Sequence, residues 1–332
     1  MTGPTIPHAR NTMIEARDLS KRYGDKLAVD HLSFTVQPGR VTGFLGPNGA
    51  GKSTTMRILV GLDRPTGGSA TIGGNRYAQL TAPLRVVGAL LEARAVHPGR
   101  SAYNHLLFLA QTQHLPRRRV DEVIDLVGLH DVARKRVGGF SLGMGQRLGI
   151  AAALLGDPQV LILDEPVNGL DPEGILWFRN LMKHLASEGR TVFVSSHLMS
   201  EMAITAENLI VIGRGKLIAD CTTEDFIERS SDKSVLVKSP DAAKLRELIT
   251  AAGGQVTADD EGNLDVRQLE ASRIGELAAR DGLVLHELSP QLASLEEAFM
   301  ELTRDSLDYG GHGPDGSDPA VVAAACAEGS AL

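Results

Sequence analysis

One glycine-rich segment near the amino end constrains this chain more than any other part of it. Its residues fit G-x-x-x-x-G-K-[ST] at every fixed position and are Gly46, Pro47, Asn48, Gly49, Ala50, Gly51, Lys52 and Ser53. The composition predicts a strand, 40–45, before the segment and a helix, 52–62, after it. Glycines let successive backbone N–H groups converge on one anion, and the helix N-terminus adds partial positive charge. The segment therefore predicts a loop that binds the phosphates of a nucleotide.

The side chains that follow the last glycine of this loop carry separate expectations. Lys52 is expected to reach the β- and γ-phosphates, the Ser53 hydroxyl to ligate Mg²⁺, and Thr54 to make a further phosphate contact. A dinucleotide site is not favoured, because no G-x-G-x-x-G follows this strand. The loop thus predicts binding of ATP or GTP together with Mg²⁺.

Two acidic residues follow a second apolar run. Asp164 and Glu165 come directly after 160–163, and open α/β sheets place their chemistry at the carboxyl ends of strands. Asp164 would then face the Mg²⁺ held by Ser53, and Glu165 would lie beside the γ-phosphate and orient or deprotonate a water. His197 follows another apolar run, 192–194, and is a candidate γ-phosphate contact. A structural role for this histidine stays open on spacing alone.

Composition and charge narrow the class of protein. The chain has 332 residues, 42% hydrophobic and 23% charged, which is the balance of a globular protein of about two domains. Its 34 basic and 41 acidic residues give a net charge of −7, so nucleic acid is not an expected partner. No apolar run approaches the roughly 18–20 residues of a membrane span. Two cysteines without a CxxC spacing favour a reducing, cytosolic setting.

The chain divides into four predicted regions: a flexible N-terminus (1–12), an α/β domain around a largely parallel sheet (13–225), an accessory α+β domain (226–305) and a disordered tail (306–332). The third region shows a ferredoxin-like βαββαβ order. Its predicted strands are 234–239, 256–258, 264–266 and 283–285, and its predicted helices are 241–252, 271–280 and a last one that starts at the capping-box spacing of Ser294 and runs to Leu302.

A third motif lies between the loop and the acidic strand and carries a resemblance. It reads Phe140-Ser141-Leu142-Gly143-Met144-Gly145-Gln146-Arg147 and opens a predicted helix that runs to 157–158. With this signature segment, residues 13–225 resemble the ATP-binding subunits of ABC transporters, which are P-loop NTPases with a helical subdomain. The order of motifs also matches: phosphate loop, signature segment, acidic strand, Gly169-Leu170-Asp171 and the histidine. The C-terminal region resembles the appendage of the multidrug and antibiotic exporter branch of the daunorubicin- and bacitracin-resistance type.

The resemblance implies further site residues. Tyr23 would stack on adenine, and His197 would contact the γ-phosphate. Ser141 and Gly143 would close over the γ-phosphate bound to the opposite subunit, and Asp171 would lie at the seam of the dimer.

Two positions depart from the commoner family pattern. Leu142 and Met144 stand where the signature usually has a glycine and a glutamine. Glu92 occupies the position expected for the coupling-loop glutamine, so it would be a charged ligand near Mg²⁺. We interpret both departures as marks of the exporter subtype.

The function that the resemblance implies is ATP hydrolysis by a homodimer, coupled to a separately encoded membrane permease at the cytoplasmic face of the membrane. Export of a drug, antibiotic or other hydrophobic compound is the expectation. Two alternatives remain open at this stage. One is a soluble ATPase of the same type that acts on nucleic acid or ribosomes, and the other is an importer ATPase with a regulatory C-terminal domain.

Overall fold

Two units divide the chain after Thr222 in the computed structural model. The residues that the structure describes are 12–92, 95–228, 234–259, 262–291 and 295–303. The predicted N-terminal segment before residue 12, the predicted tail after 305 and the capping serine Ser294 lie outside these residues.

The first unit is organised around a six-stranded sheet with the order β5-β6-β7-β3-β8-β9. All pairs in it are parallel except β8 with β9, which are antiparallel. Every residue of β3, β6 and β7 is buried, as expected for strands covered on both faces. The strands are β3 (Val41–Leu45), β5 (Val87–Leu90), β6 (Val160–Leu163), β7 (Thr191–Ser195), β8 (Asn208–Gly213) and β9 (Lys216–Thr222).

A smaller antiparallel sheet with the order β2-β1-β4 packs on the large one. Its strands are β1 (Ile14–Tyr23), β2 (Lys26–Val36) and β4 (Gly67–Ile72). The two sheets meet through three aromatic rings: Phe34 of β2 lies 5.8 Å from Phe44 of β3 and 5.7 Å from Phe193 of β7, measured between ring centroids. Phe44 and Phe193 are 5.0 Å apart. This aromatic cluster forms the centre of the core.

The helices of the first unit supply the predicted helical subdomain, because α3, α4 and α5 pack on one another. The bounds are α1 (Lys52–Leu59), α2 (Pro83–Val86), α3 (Ala102–Thr112), α4 (Arg117–Leu126), α5 (Leu142–Leu154), α6 (Pro172–Ser187) and α7 (Met199–Thr205). The prediction that α1 extends to Leu62 was wrong: the N–H of Leu62 donates to Arg57 O instead of continuing the helix. Helix α5 ends three residues before Asp157, whose positive φ of 53° leaves the helical region.

The second unit has four antiparallel strands in the order β11-β12-β10-β13. Its elements in chain order are α8 (Thr223–Glu228), β10 (Ser234–Lys238), α9 (Ala242–Ala251), β11 (Gln255–Ala258), β12 (Leu264–Arg267), α10 (Ala271–Arg280), β13 (Glu287–Gln291) and α11 (Leu295–Thr303). From β10 to β13 they run β-α-β-β-α-β. Helices α9 and α10 pack on one face of the sheet around Leu245, Ile249 and Ile274.

The predicted last strand, 283–285, was wrong. Leu283 and Leu285 are apolar because they pack against the core of the second unit, but they precede the strand. The strand itself, β13, contains Pro290, and among the strands that the structure describes it pairs only with β10. A proline is tolerated at such an edge because its missing N–H is not needed by a second neighbour.

Among the residues with a described structure, no helix combines the length and the apolar character that crossing a bilayer requires.

Replacing Phe193 by alanine should lower the free energy of unfolding of the first unit by about 3–5 kcal/mol, because it opens a cavity at the centre of the aromatic cluster. The only tryptophan of the chain, Trp177, lies on α6, so its fluorescence during chemical denaturation reports this unit. Phe108→Ala is the control, since that side chain is 49% exposed, and its cost should stay below about 1 kcal/mol. Equal losses for the two variants would contradict the proposed core.

Candidate nucleotide site

The strand order places the carboxyl ends of β3, β6 and β7, which lead into the predicted site residues, at one edge of the large sheet. Strand β7 pairs with both β6 and β3, so the segments after 45, 163 and 195 leave the sheet side by side. An open pocket of about 360 Å³ lies at this edge. Its lining residues are Tyr23, Lys26, Ala28, Pro47, Asn48, Gly49, Ala50, Gly51, Lys52, Ser53, Thr54, Asp164 and Glu165.

The glycine-rich loop is shaped by close backbone approaches. A Cβ on Gly46 would lie 2.5 Å from the carbonyl oxygen of Ile212, and one on Gly51 would lie 2.4 Å from that of Ala28. Gly51 also has a φ of 105°, which L side chains rarely adopt. Helix α1 begins at the next residue, so the N–H groups of its first turn have no carbonyl of their own helix to bind. The loop thus presents backbone donors and a helix N-terminus to the pocket.

The Lys52 ammonium is held inside this loop. Nζ donates to the carbonyl oxygens of Gly46, at 2.5 Å, and Pro47, at 3.3 Å. The residue is only 7% exposed. Burial lowers the pKa of Lys52, while the negative charges of Glu165 and Asp164 oppose this shift. The three charged groups are therefore close enough to interact through space.

The acidic pair is fixed by the neighbouring strands. The N–H of Asp164 donates to Leu90 O of the adjacent strand at 2.7 Å. The Ser195 hydroxyl, at the end of β7, donates to Asp164 Oδ1 and accepts from the N–H of Glu165 at 3.0 Å. Ser195 is fully buried. One serine thus ties both acidic residues to the next strand.

The Glu165 carboxylate contacts His197. Oε2 of Glu165 lies 2.7 Å from Nδ1 of His197 and 3.3 Å from its backbone N–H, which donates to it. Glu165 has a positive φ of 49°, a left-handed backbone conformation that is uncommon for residues other than glycine. The structure brings together the loop, the acidic pair and the histidine that the sequence singled out.

Tyr23 lies at the mouth of the pocket, at the end of β1. The residue is 46% exposed, and its hydroxyl donates to Asp63 Oδ2 at 2.9 Å. Asp63 also accepts from Arg57 Nε at 2.8 Å. Desolvation raises the pKa of Tyr23, with the Asp63 hydrogen bond adding to the rise and a hydrogen bond with Thr54 opposing it. An exposed, tethered ring at this place can stack on a planar base.

The three residues predicted to act across the dimer do not line the pocket: Ser141, Gly143 and Asp171. Ser141 precedes α5, and its Oγ accepts from the N–H of Met144 at 3.2 Å. A Cβ on Gly143 would lie 2.7 Å from Gly169 O, so the start of α5 packs directly on the segment before Asp171. Asp171 precedes α6 and accepts from the N–H of Gly174 at 2.9 Å. These residues form a second cluster, which we call the signature cluster.

Glu92 is likewise absent from the pocket lining. It is exposed, follows β5, and interacts electrostatically with Arg57. Its role as a metal ligand stays a prediction.

Sequence reasoning missed four residues that line the pocket or contact its acidic pair. Lys26 and Ala28 line it because the β1–β2 hairpin folds beside the loop. Ser195 is the last residue of β7 and stands two residues before the predicted histidine. A polar residue at the end of a buried strand is a signal from which it could have been predicted. Gln146 is part of the signature motif, and its Nε2 donates to the backbone oxygen of Glu165 at 2.9 Å.

The donor set suits a magnesium nucleotide. Among the described residues, no group of three or more His, Cys, Asp or Glu side chains could hold a metal by itself. The pocket instead offers the hydroxyl of Ser53 and the carboxylate of Asp164 as oxygen ligands. Mg²⁺ prefers oxygen ligands and is usually bound by one or two protein groups plus phosphate oxygens. The residues present therefore fit a Mg²⁺ ion that arrives with phosphates.

Two family models match the chain. The model described as "ABC transporter" matches residues 29–168, which contain the glycine-rich loop, the signature segment and the acidic pair. A model described as a domain of unknown function (DUF8746) matches residues 233–296.

Curated relatives extend this likeness over most of the chain. The Nod factor export ATP-binding protein I of Burkholderia pseudomallei is 34% identical over 305 residues, which cover 89% of this chain and 98% of the relative. This chain belongs to the ATP-binding proteins of ABC transporters. The bacitracin transport ATP-binding protein BcrA of Bacillus licheniformis is 43% identical over 223 residues, covering 66% of this chain and 73% of the relative.

A solved structure agrees with the fold of this ABC ATPase. The structure titled "Structure of ATP binding subunit of ABC transporter" has a TM-score of 0.60 and 28% sequence identity, and the match covers 66% of this chain and 93% of that one. The chain is therefore an ATPase of the ABC cassette type.

Lys52→Ala should weaken ATP binding by this ABC ATPase at least ten-fold, about 1.4 kcal/mol or more, because it removes the buried positive charge of the pocket. Titration with a fluorescent ATP analogue measures the dissociation constant. Lys183→Ala is the charge-matched control, since Lys183 is exposed on α6 and does not line the pocket. Unchanged affinity in Lys52→Ala would show that the glycine-rich loop is not the phosphate site.

Proposed function

We propose that this ABC ATPase powers an exporter as a homodimer that closes around two ATP molecules. The proposal rests on one observation: the sequence motifs of the site lie in two separate groups. The glycine-rich loop and the acidic pair line one pocket, and the signature cluster lines none of it. A serine hydroxyl and free N–H groups at the start of α5 suit an anion. A second copy can supply that anion by presenting its own filled pocket.

Within one pocket, each residue has a distinct part in the proposal. Lys52 and the backbone donors of the loop bind the β- and γ-phosphates, and Thr54 adds a phosphate contact. Ser53 and Asp164 hold Mg²⁺, which when bound neutralises charge that develops on the phosphates. Tyr23 stacks on the adenine.

Glu165 is proposed as the general base. Its carboxylate accepts a proton from a water whose oxygen forms a bond to the γ-phosphorus, while the bond from that phosphorus to the β,γ-bridging oxygen breaks and the electron pair stays on ADP. His197 contacts the same carboxylate at 2.7 Å and so fixes its direction toward the γ-phosphate. Ser141 and Gly143 of the partner copy complete the site, and Asp171 lies at the seam.

Glu165→Gln should leave ATP affinity within about two-fold and lower the rate of hydrolysis at least 100-fold, because an amide cannot accept the proton of the attacking water. It should also trap the closed dimer. Phosphate release measures the rate, and size-exclusion chromatography with MgATP measures the dimer. Hydrolysis at the parental rate would remove Glu165 from this role.

The shared site predicts complementation between two inactive variants. Lys52→Ala damages the loop and Ser141→Arg damages the signature cluster, so a mixed dimer keeps one intact site made from the two undamaged halves. An equal mixture should recover about a quarter of the parental activity, since about half of the dimers are mixed and each has one good site of two. The matched control mixes two preparations of Lys52→Ala. Activity no higher than that of the separate variants would exclude a site shared between copies.

The names of the relatives support a proposal for the membrane partner and the cargo. The bacitracin transport and Nod factor export relatives are ATP-binding proteins by name, which supports a separate permease and an exported antibiotic or other hydrophobic compound. The place of the dimer is then the cytoplasmic face of the membrane, bound to the permease. Co-purification of the full chain with the product of a neighbouring permease gene tests this part of the proposal.

The two alternatives from the sequence have less support. The second unit is a βαββαβ module, whereas importer regulatory domains are expected to be barrel-like. A net charge of −7 gives no general attraction to nucleic acid or ribosomes.

A further inference from the structure

The main chain of Glu165 is held from both sides by buried side chains of other elements. Its N–H donates to Ser195 Oγ of β7 at 3.0 Å, and its carbonyl oxygen accepts from Gln146 Nε2 of α5 at 2.9 Å. The N–H of Asn168 also donates to this carbonyl, at the longer distance of 3.3 Å. The contact from Gln146 is thus the shorter of the two at the carbonyl.

The hydrogen bond from Gln146 is costly to lose because the side chain is buried. Gln146 is only 4% exposed on a helix whose neighbouring buried residues are almost all apolar. A buried amide that loses its partner pays the cost of its own desolvation, so the side chain and the Glu165 carbonyl depend on each other. Packing alone does not require a glutamine at this place, because an apolar side chain of similar volume would fill it.

The backbone conformation of Glu165 explains why such a hold is needed. Its φ of 49° lies in the left-handed region, which costs free energy for a residue with a Cβ and persists only where the surroundings enforce it. The direction of the Glu165 side chain depends on this conformation. Loss of one hydrogen bond at its carbonyl would let the residue relax toward the extended region and turn the carboxylate.

We propose that Gln146 is a positioning residue that fixes the catalytic carboxylate of Glu165 through its backbone oxygen. The inference rests on the proposed role of Glu165 as general base. Gln146 itself touches neither nucleotide nor water in this scheme.

The position of Gln146 on α5 gives this contact a second effect. Ser141 caps the N-terminus of the same helix, and in the proposed dimer it faces the nucleotide bound to the partner copy. The helix therefore connects the nucleotide at one site to the general base of the other site. A shift of α5 on closure would be transmitted to Glu165 through the Gln146 amide.

Gln146→Met is the informative variant because it keeps the length of the side chain and removes the donor. Ser195 is less suitable, since its hydroxyl also donates to the proposed metal ligand Asp164. The experiment uses the full chain with MgATP. We expect kcat to fall about ten-fold or more and the KM for ATP to stay within two-fold, because only the group that activates water is displaced.

A double-mutant cycle with Glu165→Gln separates positioning from general damage. If Gln146 acts through the carboxylate, Gln146→Met should reduce single-turnover hydrolysis less than two-fold in the Glu165→Gln background. Equal losses in both backgrounds, or a parental kcat for Gln146→Met, would overturn the inference. A parental rate for Glu165→Gln alone would instead refute the proposed function, so the two failures are distinguishable.

Amide hydrogen exchange supplies a readout that does not depend on turnover. Gln146→Met should speed exchange of the amide hydrogens in the turn 165–168 after β6, where the N–H of Asn168 donates to Glu165 O, by at least ten-fold. The matched control is Arg119→Met, which removes side-chain donors to Leu154 O and Leu155 O at the other end of α5. This control should leave both kcat and exchange at 165–168 within two-fold. Unchanged exchange in Gln146→Met would count against the proposal.

Discussion

Parallel pairing of β7 with both β6 and β3 is the constraint on which the site depends. It sets the glycine-rich loop, the acidic pair and the histidine at one edge of the sheet, although they are far apart in the sequence. The pairing is in turn held by burial, because all three strands are buried along their whole length. Strands β3 and β7 also meet the small sheet through the cluster of Phe34, Phe44 and Phe193. The apolar core therefore determines the geometry of a polar site.

The polar groups at this edge form hydrogen bonds with one another and with the loop backbone in the absence of a ligand. The Lys52 ammonium donates to loop carbonyls, the Ser195 hydroxyl joins Asp164 to Glu165, and His197 contacts the Glu165 carboxylate. Buried charges are expensive without such partners. A phosphate group that enters the pocket would replace the loop carbonyls as the hydrogen-bond acceptor of the Lys52 ammonium. The lysine is already directed toward the loop before the phosphate binds.

Much of this arrangement was predictable from the sequence, because it depends on local patterns. Short apolar runs followed by glycines or acids identified β3, β6 and β7 and the residues at their ends, and the motif order gave the ABC family. The strand order was not readable, since it depends on pairing between distant segments. The place of Lys26 in the pocket and the hydrogen bond from Gln146 to the Glu165 carbonyl depend on that pairing too. The last strand of the second unit was misplaced because 283–285 have strand-like composition, while β13 is a polar edge strand with a proline.

The left-handed backbone conformation of Glu165 lowers the stability of the fold, whereas its carboxylate is the group proposed to accept the proton of the attacking water. A glycine there would relieve the conformational cost and make the cassette more stable, yet it would carry no proton acceptor. Under the proposed role of Glu165 as general base, selection of this ATPase for folding alone would favour loss of turnover at this position, a trade of activity for stability.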